Sequence, residues 1–264
     1  IKPDDIEYEE IFVKGLRVEF ELLKNYTSLW LDKDAALAIG FDRAPNKILI
    51  VTDRLMFFEH AARKLARDSN VFFYSGYATS VMNDIPNLPV LDKKTIIHVR
   101  PLRGKEDEEY IWEIIRASDK NENIFLLAEM NPNDAEIFRM YFDDTLFIGP
   151  PGISERKEIL RDILQGALRL DMITEEDIDY SAKVTEGLRT YEIISFARRL
   201  LVRCATPKRK ITRAVIDEVF ASFRPLSNVP KESLIHSDDI LDQLYLMAVD
   251  EAEGMVFKII QKLN

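Results

Sequence analysis

Residues Thr52 to Glu59 lie between an apolar run and a helical pattern, a position where proteins often bind phosphate. The run at 48–51 is typical of a buried strand, and the helical pattern follows at Ala61, Ala62, Leu65 and Ala66. A loop in this place binds phosphate when glycines expose backbone N–H groups, a lysine supplies charge and a hydroxyl holds Mg²⁺. This loop reads Thr-Asp-Arg-Leu-Met-Phe-Phe-Glu, with no glycine and no lysine. It therefore predicts the backbone pattern of a phosphate-binding unit without its chemistry.

Composition and charge exclude several classes of protein. The 264 residues are 47% hydrophobic and 31% charged, which is typical of a globular chain and not of a disordered one. A net charge of -10 argues against binding nucleic acid or anionic membranes over the whole surface. The densest basic run, Pro207-Lys208-Arg209-Lys210, is interpreted as a solvated turn between helices, with a local nucleic-acid contact as the alternative.

Cys204 is the single cysteine, so no intrachain disulfide can form and a cytoplasmic location is expected. It lies at helical spacing among apolar residues, which predicts a buried side chain and not a reactive thiol. No apolar run is long enough to cross a bilayer, and no signal peptide is visible. The first residue is Ile1, as expected for a processed chain or a fragment of a longer protein.

Five apolar runs without strict alternation predict strands covered on both faces, as in a parallel sheet. They lie at 48–52, 71–74, 95–99, 124–128 and 145–148. Helical patterns at 57–67, 106–117 and 134–141 separate most of them. This alternation predicts a doubly wound α/β domain over residues 1–150.

Only helical patterns follow the turn Gly149-Pro150-Pro151-Gly152, which is the predicted domain boundary. Four helices at 154–170, 175–184, 191–204 and 213–223 predict a helical domain over residues 151–226, with Ser154 as an N-cap and Thr174 with Asp177 as a capping box. Residues 227–264 form a predicted C-terminal extension. Apolar residues recur there at three and four from 237 to 263, so we expect an amphipathic helix that packs on its own chain or docks a partner.

An α/β sheet domain followed by a four-helix lid resembles the AAA+ ATPase module. The most specific likeness is in the lid. Residues Pro150 to Leu160 resemble the entry to the lid in the AAA branch. Thr185-Glu186-Gly187-Leu188-Arg189-Thr190-Tyr191-Glu192-Ile193 resembles that branch's Thr-x-Gly-(Phe/Tyr)-Ser-x-x-(Asp/Glu)-Ile motif near the nucleotide. The expected fold is therefore an AAA+-like parallel five-stranded αβα sheet domain, a four-helix lid domain and a C-terminal amphipathic helix.

The resemblance implies positions for the phosphate loop, whose pattern is Gly-x-x-x-x-Gly-Lys-(Ser/Thr). Without gaps, Thr52 and Phe57 take the glycine positions, Phe58 takes the lysine position and Glu59 takes the hydroxyl position. We expect Phe57 and Phe58 to pack on the sheet instead. Glu59 would repel a polyanion.

The family's other site positions also depart from the pattern. An acid pair is expected after the third strand, where this chain has Arg100-Pro101; nearby His98 is interpreted as a satisfied core or edge residue, with a catalytic base as the alternative. Asn131 keeps the polar sensor position, or simply caps a helix. Arg139 is the nearest candidate for a trans-acting arginine. Between the second and third strands only residues 75–94 remain, too few for a pore loop and a full helix.

These departures favour a catalytically degenerate AAA+-like protein, a pseudo-ATPase that acts as a scaffold, assembly or regulatory subunit. No catalytic residue, no metal ligand, and neither ATP nor Mg²⁺ is expected. The expected partners are a second copy, another AAA+ subunit, or a protein that binds the C-terminal helix; a membrane partner is not expected. The alternative is an active AAA+ ATPase with a non-standard nucleotide site that remodels proteins.

Overall fold

The computed structural model describes residues 1–52, 58–85, 91–205, 209–223 and 225. The chain divides into two compact units, Ile1–Gly149 and Pro150–Asn264. The expected C-terminal helix and Phe57 lie outside the described residues.

The first unit contains a five-stranded parallel sheet, as the apolar runs predicted. Its strands are β1 (Lys47–Val51), β2 (Phe72–Gly76), β3 (Thr95–Val99), β4 (Ile124–Met130) and β5 (Asp144–Phe147). Their order is β2-β3-β4-β1-β5. The register pairs Leu49 with Ala128 and with Thr145, and Ile97 with Leu126. β1, β3 and β4 are buried along their whole length, which explains why they read as continuous apolar runs.

Helices cover both faces of the sheet. The N-terminal helices are α1 (Glu10–Lys14), α2 (Arg17–Leu31) and α3 (Lys33–Ala38); α4 (Glu59–Asp68) follows β1. α1, α2 and α4 form one apolar core with Ile48, Ile50 and Leu127. α5 (Ala78–Asp84), α6 (Lys105–Lys120) and α7 (Pro132–Phe138) pack against the opposite face, with Leu49, Val51 and Leu126. The crossover from β1 to β2 runs through α4 on one face of the sheet, and the crossover from β4 to β5 runs through α7 on the other.

Different contacts are found at the two edges of the sheet and at its amino end. Ile1 exchanges backbone hydrogen bonds with Phe73 of β2, at 2.7 and 3.0 Å, and so covers that edge. Among the described strands, β5 pairs only with β1. At the amino end of the sheet, the buried Lys47 is ion-paired with Asp119 of α6, and Arg43 bridges Asp119 and Asp143 at 3.1 and 3.0 Å.

The second unit contains the four predicted helices: α8 (Ile153–Arg169), α9 (Glu175–Val184), α10 (Thr190–Ala205) and α11 (Arg213–Ser222). α10 packs against α8 and α11. Thr174 and Asp177 form the predicted capping box, and Cys204 is buried as predicted. The prediction of Ser154 as an N-cap is wrong: α8 begins one residue earlier, and its cap is Gly152, whose N–H donates to the Glu155 carboxylate at 2.6 Å. No helix in the described part of the chain has the length and apolarity needed to span a bilayer.

Candidate functional site

Between the carboxyl ends of β1 and β4, the connections that leave the two strands run in opposite directions across the sheet. These strands are neighbours, but their crossovers pass over opposite faces, and the backbone N–H of Thr52 donates to the Met130 carbonyl at 3.1 Å. Open α/β sheets bind ligands in the crevice at such a point. The side chains around it therefore form the candidate site.

Glu59, the first residue of α4, is held by two arginines. Arg63, one turn further on, donates from Nε and Nη2 to Oε1 at 2.9 and 2.7 Å. Arg100, just beyond β3, donates from Nε and Nη2 to Oε2 at 3.0 and 2.7 Å. Each carboxylate oxygen thus receives two N–H donors from one guanidinium, and hydrogen bonds between charged partners are stronger than those between neutral ones.

The environment keeps Glu59 ionised. Burial acts to raise the pKa of its carboxyl, but the neighbouring His98, Arg100 and Arg63 lower it more, to about 2. The side chain is only 20% exposed, so solvent weakens these interactions little. At neutral pH the cluster formed by Glu59, Arg63 and Arg100 therefore holds a permanent internal anion.

A second polar group crosses three strands on the same face of the sheet. His98 Nδ1 lies 3.0 Å from Ser75 Oγ, and its Nε2 lies 3.2 Å from Glu129 Oε2. The Phe58 ring covers the imidazole at a centroid distance of 5.7 Å. A hydroxyl, an imidazole and a carboxylate in this order resemble a nucleophilic triad. However, His98 has no exposed surface and both ring nitrogens are hydrogen-bonded, as expected of a satisfied core residue.

Two of the phosphate-loop positions that lie in the described part of the chain, Thr52 and Phe58, are occupied by buried side chains. Thr52 is buried, and Phe58 is 1% exposed within the core between α4 and the sheet. This agrees with the expectation that Phe58 packs on the sheet. Phe58 is the N-cap of α4 and not a residue inside the helix, because the first helical residue is Glu59.

Arg100 and Pro101 follow β3 as the sequence places them. The backbone N–H of Arg100 donates to the Gly76 carbonyl at 2.9 Å, and its guanidinium lies 5.7 Å from the Tyr77 ring centroid. Pro101 is half-buried. The sequence reasoning missed Arg63, Ser75, Tyr77 and Glu129 as parts of this site. Only Arg63 had a readable signal, its spacing of four from Glu59.

Asn131 caps α7, which was the simpler of its two predicted roles. Its Oδ1 accepts from the N–H groups of Asn133 and Asp134, both at 3.0 Å. These bonds satisfy two amides at the start of the helix. The sensor role of Asn131 stays a prediction.

The remaining predicted residues are Thr185, Gly187 and Arg139. In the second unit, Thr185 is fully buried after α9 and donates to the Ser181 carbonyl at 2.8 Å, and Gly187 has a φ of 78° that favours glycine. Arg139 is exposed in the 3₁₀ helix Arg139–Tyr141, 5.9 Å from the Phe147 ring centroid. The structure does not bring Arg139 into the candidate site.

The described residues contain no group of three or more His, Cys, Asp or Glu side chains arranged to hold a metal ion. No protein-family model matches the sequence, and a comparison with curated proteins finds no match. The fold and the site define an α/β unit with a parallel five-stranded sheet and an ion-paired carboxyl edge. Function is therefore inferred from these features.

Proposed function

We propose that this chain is a pseudo-ATPase of the AAA+ type that acts as a scaffold or regulatory subunit and does not hydrolyse ATP. The observation that carries the proposal is the direct ion pair between Glu59 and Arg100, at 2.7 Å. It joins the start of α4 to the end of β3.

The resemblance implies that both residues of this ion pair stand at positions that bind Mg²⁺ in an active ATPase. In an active site of this kind, the hydroxyl at the start of the helix and the acid after the third strand are the protein groups associated with Mg²⁺. Here Glu59 stands at the hydroxyl position and Arg100 at the acid position. A direct salt bridge links the two elements that a hydrated metal ion would otherwise link. At the position after the third strand, a basic residue thus replaces the expected acid and pairs with Glu59.

The lysine position supports the same proposal. Phe58 is buried against His98 and contributes to the core. Its aromatic ring cannot neutralise a phosphate, and Glu59 next to it adds a negative charge. Phosphoryl transfer depends on positioned cations and metal, so losing the lysine, the hydroxyl and the acids together removes its main stabilisation.

The proposed activity is binding to proteins, with a second copy of this chain or another AAA+ subunit as the partner. Large apolar side chains are exposed on three consecutive elements that end in β5, which pairs only with β1 among the described strands: Ile137, Met140, Tyr141 and Phe147. Met140 is 81% exposed and Phe147 63%. Exposed apolar groups beside an edge strand are typical of contact surfaces.

Nucleotide binding and turnover test the proposal. We expect millimolar Mg-ATP to leave the midpoint of thermal unfolding unchanged, because a ligand that binds only the folded state would raise it. We also expect no phosphate release above the buffer blank. The alternative, an active ATPase with a non-standard site that remodels proteins, requires multiple turnovers.

The variant Arg100→Ala identifies the source of any turnover. Turnover by the wild type that is lost in Arg100→Ala would assign hydrolysis to this site and overturn the proposal. Equal turnover in both proteins would indicate a contaminating enzyme, which a third preparation with an added purification step should then reduce.

A further inference from the structure

Two guanidinium groups donate to the carboxylate of Glu59 from different elements of the fold. We infer that Arg63 and Arg100 form an anion-binding site that Glu59 fills as an internal ligand, and that a phosphate-type oxyanion binds there when Glu59 is neutral. The inference rests on the proposed function and deepens it, because it assigns a ligand class to the place where a nucleotide phosphate is excluded.

The geometry of the forks fits phosphate as well as carboxylate. Each arginine presents Nε and Nη2 in one plane, and each pair of donors converges on one oxygen of Glu59 at 2.7 to 3.0 Å. Two donors on one oxygen do not make the two-oxygen fork of a bidentate pair, but a phosphate carries enough oxygens for each guanidinium to bind one or two of its own. Two forks supply two units of positive charge against the single charge of Glu59.

The positions of the arginines do not depend on Glu59 alone. Arg63 Nη1 also donates to the Glu7 carbonyl at 3.4 Å, and its guanidinium lies 5.6 Å from the Phe73 ring centroid. Arg100 is held by its backbone bond to Gly76 and lies beside the Tyr77 ring. These contacts keep both cations near the same point when the carboxylate is removed.

The internal anion explains why the wild-type site is closed. Glu59 is tethered within reach of both forks, so its effective concentration exceeds that of any free anion in solution. Its carboxyl is also ionised over the whole physiological range, since its pKa is about 2. A free oxyanion has to displace a bound charge in the wild type, but not in a neutral variant.

The test is inorganic pyrophosphate binding by Glu59→Gln, made in the whole 264-residue chain. We expect pyrophosphate at matched ionic strength to raise the thermal midpoint of Glu59→Gln and to bind it at least about tenfold more tightly than the wild type. The double variant Glu59→Gln/Arg100→Gln is expected to lose the gain. Titration calorimetry provides the dissociation constants.

Glu175→Gln is the matched control. Glu175 pairs with a single exposed arginine fork, Arg161, through contacts of 3.1 and 2.8 Å. Glu175→Gln removes one negative charge, as Glu59→Gln does, but at an exposed pair with one arginine. It should therefore bind pyrophosphate no better than the wild type. Equal gains in Glu59→Gln and Glu175→Gln would show a general charge effect and overturn the inference.

The remaining outcomes are also decisive. A folded Glu59→Gln with wild-type affinity for pyrophosphate would refute the site. If Glu59→Gln fails to fold, pyrophosphate is expected to restore cooperative unfolding, and failure to do so would equally refute it. ATP turnover by the wild type would refute the proposed function but not the anion site, because the pyrophosphate comparison measures only the arginine site.

Discussion

Glu59 and Arg100 are 41 residues apart, and their contact illustrates what a sequence can and cannot give at the residue scale. The absence of glycine and lysine from the loop was readable, because it depends only on residue types. The pairing was not, because it requires β3 to lie with its carboxyl end near the start of α4. The same holds for Ser75, His98 and Glu129, which meet only through the register of three strands.

His60 provides a pH-dependent test of the contact between α1 and α4. Its Nδ1 accepts the Glu9 N–H at 3.0 Å, and its ring stacks on Phe12 at 4.7 Å. Burial lowers the pKa of His60 from 6.5 to about 4; the nearby Glu59 opposes this effect and Arg63 adds to it. The imidazole is therefore neutral in the folded chain at neutral pH.

We expect the free energy of unfolding to fall by up to about 3 kcal/mol between pH 6.5 and pH 4 because of His60. In this range the unfolded chain binds the proton more readily than the folded chain, so acid favours unfolding. Urea unfolding at a series of pH values measures the slope. His60→Asn keeps an acceptor without a proton equilibrium, and the slope in this window should flatten. An unchanged slope in His60→Asn would contradict the assignment. The contribution of ionised Glu59 to the free energy of unfolding is lost at lower pH, between 4.5 and about 2.

At the scale of elements, the strands were predictable and several helices were not. Runs of Ile, Val, Leu and Phe located all five strands to within two residues, because strands buried on both faces have little polar content. The N-terminal helices were missed although α2 carries a signal: its buried residues Phe20, Leu23, Thr27 and Trp30 recur at three and four. α5 has only seven residues and includes Thr, Ser, Asn and Asp, so tertiary packing and not propensity decides it.

The exposed apolar side chains on and next to β5 support a prediction about assembly. We expect the wild type to self-associate and Met140→Lys/Phe147→Lys to shift the mass toward the monomer, measured by light scattering. Lysines on an edge oppose association, and the stability of the chain should change by no more than about 0.5 kcal/mol because both side chains are exposed. Val18→Lys is the control, since Val18 is 74% exposed on α2. Equal masses for all three proteins would exclude this edge as the contact between copies.

At the scale of the whole molecule, the first unit has the features of an independent domain. Both faces of its sheet are covered by its own helices, and its two apolar cores consist of residues from within Ile1–Gly149. The Pro-Gly turn at the boundary was visible in the sequence. The likeness of the second unit to an AAA+ lid stays a prediction, because it depends on site positions and not on helix count.

We expect a polypeptide of residues 1–149 to fold alone and to unfold in one cooperative transition, with a free energy of about 5–15 kcal/mol. Circular dichroism during urea unfolding measures this. The fragment cut at residue 130, which lacks β5 and exposes one side of β1, is the matched control and should unfold without a cooperative transition. A non-cooperative melt of the 1–149 fragment would contradict the division into units.

The charged network at the amino end of the sheet has a consequence for heat resistance. Lys47, Asp119, Arg43 and Asp143 tie β1 to α6 and to the start of β5. Water solvates ions less favourably as temperature rises, whereas the gain from apolar burial levels off. The contribution of this network to the free energy of unfolding should therefore persist at temperatures where the contribution of apolar burial no longer grows.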